Sequence, residues 1–252
     1  MVRLYFVYVV SVLFFLPGTG FPSEKKTDND VKKLSVLIVT GGHGFEHEAF
    51  FAMFDSFDRI EYREVVHPQS DEIYTDGTAA KYDVLVFYDM YQEITSEQKS
   101  AFLNLLKKGK GLVVLHHALA SYQAWPEYEK IVGGKYFLKP HKENGHEVPG
   151  STYKHGQDIP VHIVNPQHPV TKGMQDFHIH DEVYGGIYVA PNVDALLSTE
   201  HPLSGKIIAW AHQYDNSRVV TIQLGHDHSA YENENYRKLV RRAILWVAGR
   251  HE

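Results

Sequence analysis

Three apolar segments of this chain each run straight into glycine or histidine, and an imidazole so placed can act near neutral pH as general base, general acid or metal ligand. Gly111-Leu-Val-Val-Leu-His-His117 delivers two imidazoles. Leu34-Ser-Val-Leu-Ile-Val-Thr40 runs into Gly41-Gly-His-Gly-Phe-Glu-His47, and Arg218-Val-Val-Thr-Ile-Gln-Leu-Gly225 runs into His226-Asp-His228. A carboxylate is available in Asp181-Glu182, between His178-Ile-His180 and Tyr184-Gly-Gly186. Glu182 is the first choice for the acid that raises an imidazole pKa and fixes its tautomer, and Tyr184 can offer a hydrogen bond or a stacking face. His43, His116, His226 and Glu182 are also N/O ligands suited to zinc or a similar divalent cation, three of them plus water forming a catalytic site. No His-x-x-x-His helix forces them onto one ion, so metal-free acid-base chemistry stands beside that reading.

For these side chains to meet, the segments carrying them must be neighbours. Leu112 to Leu115 is a short continuous apolar run, the pattern of a strand covered on both faces, as parallel strands are. The carboxyl ends of such strands open into a crevice where ligands bind. A helix over Phe50 to Phe57, strands over Ile60 to Val66 and Tyr82 to Tyr88, and a helix from Thr95 to Lys108 precede the His116 strand. That helix has a Ser/Thr start, acid early and Lys late, which suits its dipole, and Gly109 and Gly111 stop it. The order βαβαβαβ predicts an α/β fold with a doubly wound, mostly parallel sheet and helices on both faces. Lys135 to Ile159 has neither helical nor strand period and is expected to be a long loop covering the rim. Beyond it lie strands over Pro160 to Val164, Asp194 to Ser198, Lys206 to Ala211 and Val219 to Leu224, with a closing helix from Asn235 to Gly249.

Composition narrows the function. The net charge of -6 leaves no basic stripe for nucleic acid, and the absence of Cys excludes disulfides, thiolate metal sites, a Cys nucleophile and a lipoprotein anchor. Arg3, the apolar run Leu4 to Leu16 and Pro17-Gly-Thr-Gly20 have the layout of a secretory signal peptide over residues 1–21. A polar lead-in over 22–33 and a single domain over 34–250 come after it. The expected location is periplasmic or extracellular, with an uncleaved membrane anchor as the alternative.

The strand-loop Gly111-Leu-Val-Val-Leu-His116, the turn His168-Pro-Val-Thr-Lys-Gly173, the acidic Asp181-Glu-Val-Tyr184, and Ile208-Ala-Trp210 leading to Arg218-Val-Val-Thr-Ile-Gln-Leu-Gly-His-Asp227 together resemble the ThuA-like, or trehalose-utilisation, family over roughly Val36 to Gly249. The resemblance implies a flavodoxin-like sandwich similar to class I glutamine amidotransferases. In that fold the turn at His116 carries the cysteine nucleophile, and imidazole there excludes the thioester route to glutamine hydrolysis. The family is associated with trehalose and related disaccharides, oxidised keto-sugars included. The resemblance therefore implies a carbohydrate hydrolase or lyase with His116, Glu182 and His226 as catalytic residues and His43, His117, Tyr184, Trp210 and Asp227 binding substrate. A non-catalytic carbohydrate-binding module and a metal-dependent hydrolase remain as alternatives, and the oligomeric state stays open.

Overall fold

The computed structural model describes residues 1–2, 33–143 and 145–250. Apart from residues 1–2, the expected signal peptide lies outside them, as does nearly all of the polar lead-in. No helix among the described residues is long and apolar enough to cross a membrane.

The parallel strands are β1 (Leu34–Gly41), β2 (Ile60–His67), β3 (Val84–Asp89) and β4 (Gly111–Leu115), joined by helices α1 (His47–Asp55) and α2 (Ser96–Lys107). Helix α3 (Pro126–Val132) and the short strands β5 (Gly134–Lys135), β6 (His141–Glu143) and β7 (His146–Val148) come next. They lead into β8 (Thr152–Ile163), β9 (Phe177–Gly185), β10 (Tyr188–Val189), β11 (Asp194–Ser198), β12 (Ile207–Tyr214) and β13 (Ser217–Ile222). Helices α4 (His228–Glu232) and α5 (Glu234–Val247) close the chain. The main sheet among the described residues has nine strands in the order β2-β1-β3-β4-β13-β12-β11-β8-β9. Pairing is parallel from β2 to β13 and antiparallel from β13 to β9. The fold is mixed α/β around one large sheet.

Successive residues of a strand point to opposite faces, and β1 shows what that does here. Val36 and Ile38 enter one core with α1 and α5, while Leu37 and Val39 enter a second with α2 and α3. Both faces are dry, which is why β3 and β4 read as unbroken apolar runs. Helix α5 lies so near β4 that a Cβ at Gly111 would sit 2.7 Å from the Val247 carbonyl oxygen. Helix α2 starts where its capping box sets it, with the Thr95 hydroxyl accepting the Gln98 N–H at 3.2 Å and the Gln98 side chain accepting the Thr95 N–H at 2.7 Å.

The expectation of an unstructured loop over Lys135 to Ile159 is corrected. Four strands occupy it, and the last is the twelve-residue β8, paired antiparallel with β9. From Thr152 to Gly156 this strand is exposed and polar on both faces, so it has no apolar alternation to reveal it. Backbone pairing with β9 holds it in place.

Candidate active site

His116 ends β4 and opens a 3-10 turn over His116–Ala120 with φ at +48°, a left-handed conformation that costs a non-glycine residue about 1–3 kcal/mol. Its surroundings hold it there. The ring lies stacked on Tyr184 at 4.8 Å between centroids, and Nδ1 is 2.7 Å from the Gln223 carbonyl oxygen. A carbonyl can only accept, so Nδ1 carries a hydrogen and donates it. The other ring nitrogen, Nε2, becomes a hub with the Tyr184 hydroxyl at 2.9 Å, Glu182 Oε2 at 3.0 Å and His226 Nδ1 at 3.2 Å. His116 and Glu182 are buried, whereas the His226 side chain keeps 21% of its surface exposed.

These three residues come from β4, β9 and the turn after β13, and Asp181 locks two of those elements together. Its carboxylate accepts the backbone N–H groups of Gly225 at 2.7 Å, His226 at 2.9 Å and Glu182 at 2.8 Å. From the other side the Tyr88 hydroxyl donates to the Gly225 carbonyl at 2.7 Å and the Tyr231 hydroxyl to the His226 carbonyl at 2.8 Å. At Gly225, where φ is +113°, an added Cβ would run into the Tyr236 hydroxyl. The turn is therefore tied through both its donors and its acceptors.

Burial pushes the Glu182 carboxyl up, but the hydrogen bond from His116 and the nearby imidazoles of His116, His226 and His155 outweigh it and hold Glu182 below the usual carboxylate range. Burial, with His116 adding to it, holds His226 below the ordinary imidazole range, so its neutral form is favoured. His117 is driven well down by burial and by its neighbours His116 and His43, and burial drives the Tyr184 hydroxyl well up.

His155 reaches the centre through a break in the strand register. Lys154 pairs with Val183 and Gln157 with Asp181, so His155 and Gly156 together stand opposite Glu182 alone, a β-bulge with Gly156 at φ +62°. The bulge brings His155 Nδ1 to 3.0 Å from Glu182 Oε1 and its ring to 4.4 Å from that of His226. A cavity of about 270 Å³ opens over Glu182 and His226, walled by Tyr136 and Tyr153 on one side and by His43 and His117 on the other. Three larger hollows, about 460 Å³ beside Trp246, about 570 Å³ beside Trp125 and about 350 Å³ beside Arg63, contain none of the converging imidazoles.

His116, Glu182, His226 and Tyr184 thus meet as expected, and His117 lines the same cavity while its Nε2 donates to the Tyr88 carbonyl at 3.0 Å. His43 is on the cavity wall, stacked on His117 at 4.6 Å. As a metal ligand it is displaced: the described group of ligand atoms within 4.8 Å of one another is His116, Glu182 and His226. Trp210 does not reach the cavity. It is wholly buried in the α2–α3 core with Nε1 donating to the Val132 carbonyl at 2.8 Å, so its assignment to substrate is corrected. Asp227 is corrected too, since its carboxylate caps α4 by accepting the Ser229 N–H at 2.9 Å. Sequence reasoning misses Asp181, Tyr136, Tyr153 and His155 as site residues. The one signal pointing to the last three is their place in a long insertion next to the rim.

A family model described as ThuA, trehalose utilisation, matches residues 35–247. No curated protein matches the chain. Among solved structures, a protein described as ThuA-like from Parabacteroides merdae is similar with a TM-score of 0.73 at 20% identity, covering 87% of this chain and 92% of that one. A second, from Bacteroides uniformis, gives 0.64 at 21%, covering 90% and 95%. A cytoplasmic protein from Salmonella typhimurium gives 0.56 at 14%, covering 85% and 99%. At these identities the likeness speaks for the fold.

Proposed function

The chain belongs to the ThuA family of trehalose utilisation, and from that membership we propose that it is an exported enzyme acting on a glycoside or keto-glycoside through the His116–Glu182–His226 centre. The observation that carries this reading is the convergence of a buried carboxylate, two imidazoles and a tyrosine hydroxyl beside one cavity, which Glu182, Tyr184 and His226 line. Buried ionisable groups with shifted pKa values in a pocket are the usual mark of proton-transfer chemistry. A surface that merely binds sugar has no need of them.

A keto-glycoside whose ketone lies two carbons from the anomeric carbon can be opened by such a centre. A neutral imidazole takes the proton α to the ketone, and the electron pair expels the glycosidic oxygen from the neighbouring carbon. An acid group then returns a proton to that oxygen. Addition of water across the new double bond completes a net hydrolysis. His226, half-buried at the cavity and favoured neutral, suits the base, and His116, hydrogen-bonded to Glu182, suits the acid. The doubly wound, flavodoxin-like relationship belongs to the same proposal, supported by the parallel order β2-β1-β3-β4-β13 and by helices against both faces.

Purified protein incubated with disaccharides and their keto forms, with products followed by mass spectrometry, tests the reading. His116→Ala lowers turnover by about 10²–10⁴-fold while circular dichroism stays native. Undiminished activity in that variant sinks the assignment, and sugar binding without turnover in the parent replaces it with a binding module.

A further inference from the structure

One nitrogen of His116 has more neighbours than it can satisfy by hydrogen bonding. The doubly protonated ring donates from Nε2 to Glu182, but in the neutral ring, whose one hydrogen Nδ1 gives to the Gln223 carbonyl, Nε2 presents a lone pair. That lone pair faces Glu182 Oε2 at 3.0 Å, an acceptor when ionised, and His226 Nδ1 at 3.2 Å, and the last two atoms are themselves 3.4 Å apart. The Tyr184 hydroxyl at 2.9 Å can give its hydrogen to that lone pair, which still leaves no hydrogen for the 3.0 Å contact between Nε2 and Glu182 Oε2.

A cation serves all three. In a tetrahedral site with zinc–nitrogen and zinc–oxygen bonds of roughly 2.0–2.2 Å, ligand atoms stand about 3.3–3.6 Å from one another. The triangle of 3.0, 3.2 and 3.4 Å is slightly tighter than that, and a shift of a few tenths of an ångström matches it. We propose that His116 Nε2, His226 Nδ1 and Glu182 Oε2 bind one divalent transition-metal cation of the zinc class, with the fourth position open to the cavity. The surroundings have the form such ligands need. The Gln223 carbonyl fixes the His116 tautomer, Asp181 fixes the His226 backbone, and His155 engages Glu182 Oε1, the oxygen turned away from the triangle. With no Cys in the chain the donor set is all nitrogen and oxygen.

This inference rests on the sugar-processing reading for its chemistry, though not for the binding itself. At the open position the cation polarises the ketone of the substrate, which acidifies the α proton. His43 and His155, at the cavity outside the triangle, then take over proton transfer.

The test is to strip the full-length protein with a chelator, titrate it with zinc chloride by calorimetry, count bound metal by elemental analysis, and record the visible spectrum after cobalt substitution. One cation per chain and the absorption of tetrahedral cobalt are expected. Affinity should fall about 100-fold or more in His226→Ala and Glu182→Gln and stay unchanged in His43→Ala. His226 is partly exposed, so its variant remains decisive if the buried Glu182 substitution disturbs folding. Stoichiometry well below one, or equal affinity in His226→Ala, overturns the proposal. Metal bound without turnover of any sugar refutes the function and keeps the site, whereas sugar turnover by protein that binds no metal does the reverse.

Discussion

The carboxylate of Asp181 accepts the backbone N–H of His226 at 2.9 Å, so the residue beside Glu182 sets the position of the second imidazole. Neighbours on a strand point opposite ways, and β9 uses this to aim Glu182 into the centre while Asp181 grips the turn after β13. Asp181→Asn keeps one acceptor oxygen of two and leaves a buried N–H unmet. Unfolding free energy should fall by about 1–3 kcal/mol in denaturant titrations. Turnover should fall with it, because the His226 turn loses a tether; a variant with parent-like stability and activity contradicts the tethering role.

Deleting Gly156 removes the bulge and pairs His155 directly with Glu182, and residues paired across two strands share a face, so His155 keeps its aim at the cavity. The deletion should therefore keep more of kcat/KM than His155→Ala, which removes the imidazole that reaches Glu182 at 3.0 Å. Kinetics of the two variants on one substrate decide it, and an equal loss in both contradicts the pairing.

Trp210 belongs to the core, so its replacement should separate stability from substrate affinity. Trp210→Ala should cost about 3–5 kcal/mol in chemical denaturation. The milder Trp210→Phe, which loses the bond to Val132, should leave KM unchanged. A KM that rises in the Phe variant restores the ring to the substrate.

Acid should destabilise the fold through His168 and His212, both held below the ordinary imidazole range by burial. In each the unfolded chain takes up a proton more readily than the folded one. Stability is therefore fully present above about pH 6.5 and is lost as pH falls below it. The exposed His180–Asp158 and His228–Glu46 pairs act in the opposite sense, but solvent screens them. Melting temperatures measured from pH 7.5 to 5 should decline, and the double variant His168→Gln/His212→Gln should decline less.

The strands that end at His116 and near His226 are legible in the sequence because burial on both faces demands unbroken apolar runs, and glycine or histidine interrupts them sharply. The cap of α2 is legible for a similarly local reason. The β8–β9 hairpin is not, because half of β8 faces water on both sides and its order comes from pairing rather than from its own residues. Trp210 misleads because β12 is buried on both faces around it, and alternation cannot tell which core a ring enters. Asp181 hides behind Glu182 since adjacent acids look alike until the turn they face is known.

The two walls of the cavity answer to different rules of change. The imidazoles of His117 and His226 stand just beyond strands hemmed in by packing, where almost any insertion would dislodge them. Tyr153 and His155 ride on an outlying hairpin whose length and side chains face few neighbours. Across relatives such a site can exchange one ligand for another by redrafting the hairpin, while the imidazoles stay where the sheet puts them.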